Sequence, residues 1–172
     1  ATGTTLTLGT SGDTIAIPSG VTIANSGTAT GFGETNTPYF SAVISGTQTI
    51  SDSTTTILAF DSEQSDSAGA YDTSTYKFTP QTAGKYYFYA HWRTQSNGTW
   101  SRNLIYLYKN TTSVAQFNGR QEDEDSSGTS AFIDLNGSSD YVTARVYQNS
   151  GGTQQPPTGD GKAIFFGYRV AT

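Results

Sequence analysis

Apolar and polar residues alternate one by one along most of this chain, and no stretch shows the three-to-four-residue spacing of a helix. The clearest run is Lys85 to Arg93, KYYFYAHWR. Tyr86, Phe88, Ala90 and Trp92 fall on one side of an extended strand, and Tyr87, Tyr89, His91 and Arg93 on the other. A strand that is apolar on both sides needs cover on both sides. One side meets an opposing sheet. The other, largely Tyr, suits a subunit interface, because a tyrosine ring supplies contact area and its hydroxyl a polar tip. The same period of two predicts strands at Tyr39 to Ile44, Thr56 to Phe60, Thr75 to Thr79, Asn103 to Lys109, Ser113 to Asn118, Thr129 to Leu135, Tyr141 to Gln148 and Lys162 to Val170. Asn97-Gly98, Lys109-Asn110, Asn118-Gly119 and Asn136-Gly137 mark turns between them. Eight or more short strands in this span predict an all-β, two-sheet jelly roll.

The first part of the chain has another texture. Residues 1–33 hold one aromatic, Phe32, among many Thr and Gly. Leu6 and Leu8, Ile15 and Ile17, then Val21 and Ile23 form three short alternating pairs, punctuated by Gly9, Gly12, Pro18, Gly20 and Gly27. Such strands carry too little bulk for an independent core. They would hide their apolar faces by winding around copies of themselves in a multi-chain β-stem. A flexible linker is the alternative, but a linker has no need of Ile/Val alternation. The expected division is a Gly/Thr-rich stem over 1–37 and a globular knob over 38–172.

Composition narrows the function. The 172 residues contain 11 Tyr, 9 Phe and 2 Trp, an aromatic content that argues against disorder. Nine basic residues against 14 acidic ones give a net charge of −5. Clustered Lys and Arg for phosphate neutralisation are missing, so nucleic acid is not expected as a partner. No apolar stretch reaches membrane-spanning length, so no membrane insertion is expected, and no signal-peptide pattern opens the sequence. The first residue is Ala1, which predicts a processed product or a piece of a longer chain. The chain has no Cys, which removes disulfides, thiolate metal sites and cysteine nucleophiles; its single His removes a multi-histidine cage.

An ordered set of fragments resembles a known family. Phe60-Asp61, Gly69-Ala70-Tyr71-Asp72, Thr75, Phe78, Pro80, Gly84, Tyr86 and Phe88 are similar to the globular head of complement subunit q, a structural relative of tumour necrosis factor. Phe40-Ser41-Ala42 precedes them. Leu107-Tyr108-Lys109-Asn110, Val114-Ala115, Ile133, Leu135, Gly137, Asp140, Val142 and Phe165-Phe166-Gly167 follow in order, with one extra residue before Asp140. The resemblance covers about residues 38–170. It implies a jelly roll of about ten strands that assembles as a homotrimer, with Tyr87, Tyr89 and His91 at the trimer interface. The chain departs from the family in having no collagen repeat before the head. Residues 1–37 instead resemble the Gly/Thr-rich stems of tailed-phage fibres.

In that topology every second loop reaches the far tip. The tip loops are Thr94 to Arg102, Gln121 to Gly128 and Asn149 to Gly161. Loops on a rigid scaffold commonly carry binding residues, and Asn97, Trp100, Arg102, Gln154 and Gln155 are the candidates here. Trp100 offers an indole for a sugar ring or a protein receptor, or else folds onto the domain. Glu122, Asp123, Glu124 and Asp125 are a candidate Ca²⁺ site, because carboxylate oxygens suit that ion, with Asp160 weaker by the same argument. They lack the alternating spacing of a calcium loop, and the alternative is a solvated acidic turn. His91 on an aromatic strand reads as a packed or interface residue rather than a base. Gly159 to Lys162, GDGK, lacks phosphate-loop spacing. Adjacent acids on one loop do not make the opposed carboxylates of a glycosidase.

The sequence therefore predicts a non-enzymatic, trimeric attachment knob at the tip of a phage tail fibre or similar virion appendage, located on the virion or extracellularly. It would recognise a host surface glycan or receptor through its tip loops. A secreted complement-q-like lectin or signalling head, a fibre-tip glycan hydrolase and a purely structural fibre protein are the alternatives.

Overall fold

The structure is a computed structural model. It describes residues 14, 16, 18–22, 36–94, 102–119, 126–156 and 163–170. The chain divides into two units, Ala1–Phe32 and Gly33–Thr172. In the first, Pro18 to Val21 form a turn in which the Val21 amide donates to the Pro18 carbonyl at 3.3 Å. Gly20 there has φ of 87°, a left-handed conformation that favours glycine. The Leu6/Leu8 and Ile15/Ile17 pairs and Ile23 lie outside the described residues.

The second unit carries eleven strands among the described residues: β1 (Tyr39–Val43), β2 (Thr56–Ile57), β3 (Ser62–Asp66), β4 (Tyr71–Asp72), β5 (Lys77–Phe78), β6 (Gly84–Arg93), β7 (Asn103–Lys109), β8 (Thr112–Asn118), β9 (Ser126–Leu135), β10 (Val142–Gln148) and β11 (Ile164–Arg169). They form two antiparallel sheets. One runs β3-β1-β11-β6-β9, the other β4-β5-β10-β7-β8 with β2 also against β10. This is the two-sheet jelly roll expected from the alternation.

Alternation decides what each sheet buries. On β6, Tyr86, Phe88, Ala90 and Trp92 are all 0% exposed, while Tyr87, Tyr89, His91 and Arg93 are half-buried on the other side. The opposing sheet contributes Ile105 and Leu107 from β7 and Val142, Ala144 and Val146 from β10. Phe40 on β1 joins the layers. It stacks on Tyr71 at 4.8 Å and on Phe78 at 4.5 Å, and meets Phe165 edge-on at 4.8 Å. Each such pair adds about 0.5–1.5 kcal/mol beyond burial of its area. Gly167 on β11 makes room for Phe88: a Cβ there would run into that ring.

Two polar groups that reach into the core find partners there. The Trp92 indole N–H donates to Ser127 Oγ at 3.1 Å, and the Tyr71 hydroxyl donates to the Phe60 carbonyl at 3.0 Å. Burial pushes the Tyr71 hydroxyl far above its ordinary pKa, so it remains a donor.

Two departures from the sequence reading have physical causes. β3 reads SEQSD and has no apolar position to betray it; pairing with β1, Phe40 opposite Asp66 and Val43 opposite Ser62, makes it a strand. A charged edge strand of this kind resists pairing with other chains. Conversely, Thr56 to Phe60 is a strand only over Thr56–Ile57, although Leu58 and Phe60 are fully buried.

At one end, side chains set the turns. Asn136 Oδ1 accepts the amides of Ser138, Ser139 and Asp140, each at 3.0 Å. Asp140 in turn accepts from Asn110 Nδ2 at 2.9 Å and pairs with Lys109 at 2.9 Å, which ties the β7–β8 turn to the β9–β10 turn. Asp72 closes the β4–β5 turn by accepting from the Ser74 hydroxyl at 2.6 Å, the Thr75 hydroxyl at 2.8 Å and the Ser74 amide at 2.8 Å. These bonds hold its carboxyl down at about 2, below the ordinary 3.8.

Phe40→Ala should cost about 3–5 kcal/mol in chemical denaturation, the range for truncating a buried Phe. Replacing exposed Phe117 in the same way should cost far less. Asp72 has a depressed pKa, so its contribution is present above the ordinary carboxylate range and lost as pH falls through about 2. Asp72→Asn should therefore lower the melting temperature at pH 6, and the gap to wild type should close as the pH approaches 2.

Candidate functional site

The outward side of the five-stranded sheet is where the sequence placed its interface residues, and pairing shows what surrounds them. Tyr39 lies opposite Tyr168, Tyr168 opposite Tyr87, and Tyr87 opposite Phe132. Four neighbouring strands thus contribute one aromatic each to a single cross-strand row. The next row is Ser41, Phe166, Tyr89 and Ser130, and the one after it Val43, Ile164, His91 and Gly128. The rings touch: Tyr87 stands 5.5 Å from Tyr168 and 5.3 Å from Phe132, and Tyr89 stands 5.4 Å from Phe166. Tyr89 leans over Gly128, where any side chain would collide with its hydroxyl.

This face is not fully covered within one chain. Phe132 is 64% exposed and Tyr39 44%. Beside Tyr39 the surface dips into an open depression of about 340 Å³, lined by Asn36, Tyr39, Ser41, Ser65, Phe166 and Tyr168. The aromatic row, continuous across four strands, makes this face the candidate interaction surface. Among the described residues, no group of three or more His, Cys, Asp or Glu could hold a metal ion. No helix there is long and apolar enough to cross a membrane.

The sequence reading named Tyr87, Tyr89 and His91 on this face, but not Tyr39, Phe132 and Tyr168, which the strand pairing sets beside them. The parity of Thr129 to Leu135 held a signal for one of them. Ile133 and Leu135 point inward, so Phe132 must point out. Which strands adjoin β6 was invisible until the sheet order was known.

The tip residues fare differently. Asn97, Trp100, Glu122, Asp123, Glu124, Asp125 and Asp160 lie outside the described residues. Arg102 is exposed, and its amide donates to Asn149 Oδ1 at 2.6 Å, so the loop entering β7 and the loop leaving β10 start side by side. Gln155 is exposed. Gln154 corrects the expectation of a presented ligand contact, being only 4% exposed. Its backbone bridges Ile50 in both directions, at 2.8 and 2.9 Å, and its side chain donates to Ser150 Oγ at 2.9 Å. Gln148 adds bonds to the Ile50 and Gly152 carbonyls, at 3.1 and 2.8 Å. Residues 148–154 are tied down because a Gln side chain can satisfy buried backbone groups that water cannot reach.

The comparisons with known proteins agree with this architecture. The C1q domain family matches residues 39–170. The globular domain of zebrafish complement 1qA is similar in structure, with a TM-score of 0.57 at 20% identity, covering 77% of this chain and 97% of that one. Murine APRIL at pH 8.5 is similar to the same degree, with a TM-score of 0.57 at 10% identity, covering 77% of this chain and 98% of that one. No curated protein matches in sequence. With a two-sheet antiparallel jelly roll and a family match across most of its length, the chain belongs to the C1q domain family, and residues 39–170 form its C1q domain.

Proposed function

We propose that the protein is a non-enzymatic homotrimeric attachment head, carried on a stem formed by residues 1–37 at the tip of a phage tail fibre or similar virion appendage. The observation that carries the assembly is the row Tyr39, Tyr168, Tyr87 and Phe132, with the depression beside it. Phe132 stands at the β9 edge of the sheet, while the depression lies toward the opposite edge, at β1 and β3. One chain cannot bring the two together. A neighbouring copy related by rotation can, and such a head-to-tail contact closes into a ring. The seam buries aromatic side chains that would otherwise face water, at about 25 cal/mol per Å².

Trimerisation sets three copies of the tip loops side by side. Trp100, Asn97, Arg102 and Gln155 are the proposed contacts to a host surface glycan or receptor, and three linked weak contacts gain through effective concentration. The Gly/Thr-rich alternation of residues 1–37 supports the fibre setting. The family match favours a second reading, a secreted complement-q-like lectin or signalling head with the same trimer and the same extracellular location.

Light scattering should give three times the chain mass of 18.3 kDa. Phe132→Asp, a change at an exposed position of the single chain, should reduce the mass to that of one chain with the circular dichroism spectrum intact, because it sets a carboxylate in a desolvated seam. A mutant that stays trimeric would remove Phe132 from the contact. Trp100→Ala should weaken host-cell binding with the trimer mass unchanged; unaltered binding would overturn the tip-loop assignment.

A further inference from the structure

The six-stranded sheet also has an outward side, and its chemistry differs from that of the aromatic row. On β7, Tyr106 and Tyr108 alternate with buried Ile105 and Leu107. On β10, Arg145 and Tyr147 alternate with buried Ala144 and Val146. Tyr106 lies directly opposite Arg145 on one side and opposite Gln116 of β8 on the other. The Arg145 guanidinium rests over the Tyr108 ring, 4.1 Å from its centre. Tyr106 and Tyr108 meet at 70° with ring centres 5.8 Å apart, so they form a step rather than a flat shelf.

Arg145 is held but not neutralised. Its Nε donates to Thr143 Oγ1 at 3.3 Å and one Nη to the Asn110 carbonyl at 3.5 Å, both uncharged acceptors. No carboxylate pairs with it among the described residues. Strands β2, β7, β8 and β10 contain no Asp or Glu, in a chain that has 14. Exposed Arg102 stands close enough to act on Tyr106, opposing the rise in its pKa that burial causes. The part of the face built by β7, β8 and β10 is therefore locally cationic on a protein of net charge −5, with the sheet's one strand acid, Asp72, on β4.

We propose that this face is a second ligand site, a platform for an acidic saccharide. A tyrosine ring offers its π-face to the C–H face of a pyranose. The neighbouring Tyr hydroxyls and the Gln116 amide supply donors and acceptors for sugar hydroxyls. Arg145, with its guanidinium plane fixed by Tyr108 and Thr143, keeps a remaining Nη for an anionic group on the sugar, and charge-assisted bonds of this type are the strong ones. A nucleic acid fits less well, because bases stack on flat aromatic faces, whereas Tyr106 and Tyr108 form a step and the Tyr108 face is covered by Arg145. The site lies on strands rather than tip loops, so it stands or falls separately from Trp100.

The test is affinity electrophoresis of the full chain in native gels containing polygalacturonate, dextran, dextran sulfate or no polymer, with oligo-dT as a competitor. Polygalacturonate should retard the protein and dextran should not; retardation by dextran sulfate as well would identify the anion as any acidic group on a saccharide. Tyr106→Ser and Arg145→Gln should each weaken retardation about tenfold, the scale of one lost charge-assisted or stacking contact. Tyr106→Phe and Trp100→Ala should leave it intact. Because Arg145 also braces the Asn110 turn, Tyr106→Ser is the deciding variant, with its melting temperature and light-scattering mass checked against wild type. No retardation by any acidic polymer, retardation unchanged in Tyr106→Ser, or displacement by oligo-dT would overturn the site.

Discussion

Phe40 is the side chain through which the two sheets meet. It rises from β1 in one sheet and stacks on Tyr71 and Phe78, which belong to β4 and β5 in the other. Two parallel-stacked contacts and an edge contact with Phe165 leave its ring little freedom, and they set the spacing and offset of the layers. Interiors are packed as densely as organic crystals, so the surrounding side chains follow from that placement. Phe88 fits only because Gly167 is bare beside it, and Trp92 fits only because Ser127 receives its indole N–H.

Once the layers are fixed, strand parity does the rest. Each residue that points into the sandwich obliges its neighbours to point out. The buried series on β6, β11 and β1 therefore generates an outer series of Tyr87, Tyr89, Phe166, Tyr168 and Tyr39. On β7 and β10 it generates Tyr106, Tyr108, Arg145 and Tyr147. Both outer faces are aromatic, yet they are chemically distinct. The first is a broad apolar row with an adjacent depression, suited to another protein surface. The second is smaller, carries Arg145 with no acid on β7, β8 or β10, and fits the polar, charged ligand proposed for it. The proposed assembly face and the proposed ligand face thus lie on opposite sides of one sandwich, and neither needs a side chain of the core.

Among the described residues, several acidic and amide side chains serve as fasteners. Asp72, Asn136, Asp140 and Gln148 satisfy backbone groups in turns and loops. Gln154 shows why loop position alone is a weak guide to binding. It sits in a long polar loop, yet its bridge to Ile50 buries it, and the exposed position is Gln155 beside it.

Much of this was legible in the chain itself. Alternation in KYYFYAHWR was enough to predict a strand covered on both sides, and to separate Tyr86, Phe88 and Trp92 from Tyr87, Tyr89 and His91, because a strand's period of two is a property of the backbone. The ordered fragments from Phe40 to Gly167 carried the family for the same local reason. Other features depended on partners distant in sequence. β3 has no apolar residue, and it is a strand only because β1 lies beside it. The row from Tyr39 to Phe132 joins residues 93 positions apart, and the Tyr106–Arg145 pair joins residues 39 apart. Local periodicity determines which way a side chain points; only the order of strands in the sheet decides which side chains it stands beside.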